Sequence, residues 1–246
     1  MINNIYVQSK MYGYLCENLR WLEKSLKYIE VSAKKAIASK DNNNCLPALL
    51  RLYAFLLGAW AEARLKKLLH EGRGFPKKER DIILGNKTQL DQWENTVKNA
   101  FRKHYNINKL NKINLGELGK TRLDSILEFI KNDLKIIIEI RNKLAHGQWK
   151  YPFTDNGEKV EQEKYKLINK ENLLSLKFKY EILEHLTDVI HDLIVSKATF
   201  ERDFEKHFKK LNQTKINLNE RSYQKYQDNL IKSFEKSKDK KNNVHQ

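Results

Sequence analysis

From about Pro47 to His70 the chain reads as one helix that is apolar nearly all round. Leu49, Leu50, Leu52, Tyr53, Phe55, Leu56, Leu57, Ala59 and Trp60 leave it almost no polar face. Pro47 stands in the first turn, where a missing N–H costs nothing. Gly72 and Gly74 end the segment, and Pro76 prevents its continuation. A helix without a polar face must lie at the centre of a bundle or against a partner. The rest of the chain must therefore supply amphipathic helices to cover it.

The periodicity provides them. From Met11 to Ser39, Leu15, Leu19, Leu22, Leu26, Ile29 and Ala33 recur at the three-four spacing of a buried stripe. A helix is expected over Thr88–His104 on Leu90, Trp93, Val97 and Phe101, and another over Lys120–Ala145, rich in Leu and Ile and stopped by Gly147. Asn172–Val195 gives a further one. Asp41–Asn44, the stretch from Gly72 to Asn86, and Asn106–Gly119 read as polar connections. Trp149, Tyr151 and Phe153 alternate before the turn residues Asp155-Asn156-Gly157, and with Lys164–Ile168 they predict a small β-hairpin. The expected class is all-α: a bundle of four or five helices over residues 1–195, then a charged, basic tail over 196–246. That tail is expected to form one or two exposed helices and a disordered end from about Lys236. Trp21, Trp60 and Trp93 lie on helical stripes and are expected in the core.

Composition narrows the partners. There are 47 Lys and Arg against 31 Asp and Glu, a net charge of +16. Such an excess suits a polyanion such as RNA, although 37 of the 47 are Lys, which a Lys- and Asn-rich composition alone also produces. Cys16 and Cys45 form no C-x-x-C pair, which argues against a zinc site and for a reducing, cytoplasmic setting. No uninterrupted apolar run of membrane-spanning length occurs. Met1–Met11 is too polar for a secretory signal. Neither a phosphate-binding Gly-rich loop nor a Gly-x-Ser-x-Gly elbow is present. The histidines are too scattered for a metal, and no cofactor is expected.

One segment carries chemistry: Arg141-Asn142-Lys143-Leu144-Ala145-His146-Gly147, at the end of the Leu- and Ile-rich helix. Asn142 and His146 are four residues apart and share a face. Arg141 and His146 stand about 140° apart on an ideal helix, so one substrate meets both only if the helix end frays or a second chain contributes. In a purely structural reading, His146 caps the helix and Arg141 pairs with Glu139 or Glu62.

The string Arg-Asn-x-x-Ala-His within an all-α chain of this size resembles the HEPN superfamily, over roughly Met11–Val195. The resemblance implies a HEPN-like bundle and a metal-independent endoribonuclease of toxin, abortive-infection or other antiviral defence systems. It also implies a homodimer whose two motifs face one cleft, and in some settings an antitoxin or regulatory partner. Arg141, Asn142 and His146 then carry catalysis, with Glu62 as the carboxylate from an earlier helix. Lys66, Lys143, Trp149 and Lys150 are the expected RNA contacts. His is the side chain suited to proton transfer near neutral pH, and Arg clamps phosphate oxygens through two N–H groups. Two other readings stay open. One is a HEPN-like module that binds RNA or a partner without cutting. The other is a structural helical protein in which the string is coincidence.

Overall fold

The computed structural model describes residues 2–40, 45–107 and 114–244, and side chains within 10–40, 45–107 and 114–237. The polar break at Asp41–Asn44 and the middle of the Asn106–Gly119 connection lie outside the described residues. Ten α-helices are present among them: α1 (Ile2–Ala38), α2 (Leu46–Leu69), α3 (Lys77–Leu84), α4 (Gln89–His104), α5 (Gly116–Phe129), α6 (Lys135–Ala145), α7 (Gln162–Lys170), α8 (Leu173–Val195), α9 (Lys197–Glu220) and α10 (Tyr223–Val244). A π-helical turn, Ile130–Leu134, joins α5 to α6 in one continuous rod.

The protein is all-α, and α2 is its central helix. Leu50, Tyr53, Leu57, Trp60, Leu65 and Leu68 are all buried against α1, α6 and α8, the helices on which α2 packs. By length and composition α2 is apolar enough to cross a membrane, although the sequence offers no uninterrupted apolar run; here it fills the middle of the bundle. Burying such side chains contributes about 1.5–3 kcal/mol each, so α2 and its neighbours dominate the core.

Several expectations need correction. The helix expected from Met11 begins at Ile2, and the one expected from Lys120 begins at Gly116. A short helix, α3, occupies part of the stretch read as connection. Arg80 steadies its entry by donating to the Phe75 carbonyl at 2.7 Å. The β-hairpin is absent: among the described residues a single antiparallel bridge, Phe153 to Val160, closes the turn, and Lys164–Ile168 belongs to α7. Pro152 interrupts the would-be strand and has no N–H to pair. Trp149, Tyr151 and Phe153 stay exposed, so no core rewards their alternation. Trp60 and Trp93 are buried, but Trp21 is 65% exposed.

The C-terminal helices are also more than an exposed tail. Ser196 caps α9 through its hydroxyl, and α9 packs along α8 with Phe200, Phe204 and Leu211 buried. A charged cluster fixes it: Glu201 accepts from Arg122 at 2.5 Å and meets His104 Nε2 at 2.9 Å, joining α9 to α5 and α4. α10 lies against α1 and α8 and continues to Val244, through the segment expected to be disordered.

Candidate active site at the end of α6

The rod α5–π–α6 ends on a glycine. Gly147 sits at φ +75°, a conformation open to Gly at little cost. Its N–H donates to the Leu144 carbonyl at 3.1 Å, and Gln148 N–H reaches the Lys143 carbonyl at 3.0 Å. These are the two hydrogen bonds of a Schellman stop. His146 is therefore the C-cap of α6, its N–H bonded to Asn142 and Leu144 carbonyls. The backbone capping foreseen for His146 is real, but its ring is exposed and has no hydrogen-bond partner among the described residues. Its nitrogens are free to meet a ligand.

Arg141 is placed by α2. Gly58, Glu62 and Lys66 recur every four residues and so form one ridge of α2. Gly58 leaves the space in which the Arg141 stem lies; a Cβ there would fall 2.3 Å from Arg141 Cβ. Beyond the stem, Arg141 Nη2 donates to Glu62 Oε2 and Nη1 donates to Asn142 Oδ1 at 3.1 Å. Of the two carboxylates considered from sequence, Glu62 is the partner; Glu139 stands 4.0 Å from the Lys164 ammonium instead. Glu62 also accepts from Lys66 at 2.7 Å. Burial pushes the Glu62 carboxyl pKa up, but Lys66 and Arg141 outweigh it and hold the pKa below its ordinary value. Arg64 points elsewhere, to Thr187 and Asp188 on α8.

Two clefts flank the exposed edge of α6. The larger, about 770 Å³, lies between α2, the start of α4 and α6, with Glu62, Lys66, Lys87, Thr88, Arg141 and Asn142 on its walls. Lys66, Lys87, Lys135 and Arg141 face it against Glu62 and Glu139, so its balance is positive. The smaller, about 410 Å³, lies between α6 and the loop behind it and holds Asn142, His146, Gln148 and Lys164. Asn142 and Glu139 line both. Arg141 and His146 thus face neighbouring clefts of one chain, as their angular separation requires.

The remaining sequence-derived contacts divide. Lys66 lines the larger cleft and is half exposed. Lys143 lines the smaller one but is only 12% exposed: it pairs with Glu161 at 3.0 Å and donates to the Phe153 carbonyl, so it straps the loop to α6. Lys164, and then Lys143, hold the Glu161 carboxyl below its ordinary pKa. Trp149 donates from Nε1 to the Leu144 carbonyl at 3.0 Å and is 41% exposed, but it lines neither cleft. Lys150 stands over the Tyr151 ring, 5.3 Å from its centre. Sequence reasoning missed Gly58, Lys135, Lys164 and Gln92, the last on the wall of the larger cleft. Of these, Gly58 left a signal, as a lone glycine inside a long apolar helix. Among the described residues, no three His, Cys, Asp or Glu side chains converge as metal ligands would.

Searches against family models, curated proteins and solved structures return no match for this chain.

Proposed function

We propose that this chain is a HEPN-type, metal-independent endoribonuclease that acts as a homodimer in a toxin or antiviral defence setting. The observation that carries the proposal is the placement of Arg141, Asn142 and His146 around two adjoining open clefts, one of them positive. The residue string supplies the family resemblance.

In this reading RNA carries its own nucleophile. His146 of one chain takes the proton from a ribose 2′-hydroxyl, whose oxygen attacks the adjacent phosphorus. The P–O5′ bond breaks, and the imidazolium so formed returns the proton, through water, to the leaving 5′-oxygen. The products are a 2′,3′-cyclic phosphate and a 5′-hydroxyl. Arg141 holds the non-bridging oxygens as charge builds on them. Asn142, which lines both clefts, orients phosphate or imidazole without adding charge. Glu62 keeps the guanidinium aimed and its pair with Lys66 screens the cleft. A two-fold dimer near 58 kDa, twice the 29.2 kDa chain, brings Arg141 of one chain and His146 of the other to each phosphate.

One observation favours a second reading, a module that binds RNA or a partner without cutting: Arg141 is already engaged by Glu62 and Asn142. RNA cleavage in EDTA separates the two. The nuclease leaves 2′,3′-cyclic ends on RNA and spares a matched DNA, and His146→Ala lowers the rate by about 10²–10⁴. Equal cutting of DNA, or undiminished cutting by both His146→Ala and Arg141→Ala, would refute it. Saltable binding without turnover by a folded dimer would favour the module.

A further inference from the structure

The outer face of α1 carries three large rings in a line. Tyr14, Trp21 and Tyr28 are 55%, 65% and 74% exposed. Spaced by seven residues, they fall within about 40° of one another around the helix and about 10.5 Å apart along it. Cations accompany them: the Lys24 ammonium stands 5.0 Å from the Trp21 ring centre, and Lys10 5.9 Å from that of Tyr14. Arg20 and Lys27 are exposed on the same helix.

This ridge borders a groove of about 510 Å³ between α1 and α2, walled by Leu15, Trp21, Leu22 and Ala63 and closed by Glu62 and Lys66. Glu62 and Lys66 also line the Arg141 cleft. Ridge, groove and cleft thus form one continuous surface.

The pattern does not suit a helical partner. A helix–helix seam needs apolar residues at alternating steps of three and four. Here the positions after the first two rings are Glu17 with Asn18 and Lys24 with Ser25, and exposed Met11 and Val31 extend the apolar surface only at the two ends of the row. Exposed rings alternating with lysines suit a single nucleic-acid strand, whose bases stack on aromatic faces while its phosphates meet cations. A duplex keeps its bases paired and stacked on one another, so it offers these rings no free base face.

We propose that the outer face of α1 is a track for single-stranded RNA. Bases stack on Tyr14, Trp21 and Tyr28, Lys10 and Lys24 hold phosphates, and the strand passes over the groove to the Arg141 cleft. The proposal rests on the nuclease reading only for what happens where the strand ends.

The test uses the full chain and a labelled 2′-O-methyl oligonucleotide of about 16 nucleotides, which binds but offers no 2′-hydroxyl to react. Fluorescence anisotropy should show binding that weakens with salt. Trp21→Ala should weaken it about tenfold. Trp21→Phe should retain most of the affinity, and the Tyr14→Ala/Trp21→Ala/Tyr28→Ala chain should lose more than Trp21→Ala alone. The matching duplex should compete poorly. Absent binding, or full affinity in the triple variant, overturns the track. A triple variant that changes from dimer to monomer by light scattering, with its RNA affinity intact, makes the face a protein interface and overturns it too. Unmodified RNA tests the nuclease separately: intact RNA despite tight 2′-O-methyl binding sinks the nuclease and leaves the track standing.

Discussion

Gly58→Ala tests how α2 positions Arg141. The added methyl would stand 2.3 Å from Arg141 Cβ and 2.6 Å from Cγ, with the Ile137 carbonyl oxygen at 3.4 Å. Ordinary contact begins near 3.4 Å, so α2 and α6 must part by about 1.1 Å, the difference between 3.4 and 2.3 Å. A flexible tip could swing away, but Cβ is fixed to the α6 backbone. Overpacking of this kind costs about 1–3 kcal/mol, and a shift of this size puts it in the upper half. Alanine's better helix propensity offsets about 1 kcal/mol. The net loss is about 1–2 kcal/mol, or a fall in melting temperature of about 2–8 °C at this chain length.

Thermal unfolding followed by circular dichroism reads that loss. Gly13→Ala is the control, because nothing lies within 4 Å of a Cβ on that exposed part of α1; it should gain up to about 1 kcal/mol. The atoms struck at Gly58 belong to Arg141, so RNA cleavage should fall by more than the folded fraction does. A Gly58→Ala protein as stable as the parent, with unchanged cleavage, would refute the argument that this glycine seats Arg141.

Gly147→Ala meets no atom within 4 Å but forces alanine to φ +75°. It should cost about 1 kcal/mol and loosen the α6 stop, lowering cleavage through His146 while RNA binding persists. Stability should also fall on acidification. Burial holds the His104 pKa below 6.5 despite Glu201, and burial and Lys210 do the same for His185. An unfolded chain therefore takes up these protons first as pH drops. The contribution is complete above about pH 6.5 and is lost as pH falls from there toward the folded values. A His104→Asn chain should show a shallower decline in melting temperature between pH 7 and 5, with His185 preserving part of it; an unchanged slope would remove His104 from the account.

The elements legible in the sequence were those with a long, clean period. α2, α4 and α8 declare themselves because buried residues recur through each of them at helical spacing. α3 escaped because eight residues rich in charge carry only two or three apolar anchors. The expected hairpin does not form because Trp149, Tyr151 and Phe153 alternate for no core, while Tyr165 and Ile168 are spaced for a helix. The apolar character of Trp21 suggests a core position, but it stands about 200° round α1 from the buried Leu19. At the site, Arg141, Asn142 and His146 could be read from one short string, and Glu62 from its place on α2. The strap that occupies Lys143 could not, because Glu161 and the Phe153 carbonyl reach it only once the loop closes.

The separation of Arg141 and His146 into neighbouring clefts yields a prediction about how two chains would share the work. If each phosphate in the proposed dimer meets Arg141 from one chain and His146 from the other, the two defects complement each other. An Arg141→Ala chain still offers His146, and a His146→Ala chain still offers Arg141. A mixed dimer then keeps one intact pair of the two, while each homodimer keeps none. With random pairing half of the dimers are mixed, so co-expressed variants should recover about a quarter of the parent cleavage rate. If both groups act from the same chain, every pairing lacks a complete set, and the mixture should be as inactive as its components. A mixture of separately purified dimers that do not exchange subunits is the control, and activity there would point to a contaminating nuclease. The recovered fraction therefore decides between a site within one chain and a site built by two, whichever RNA is cut.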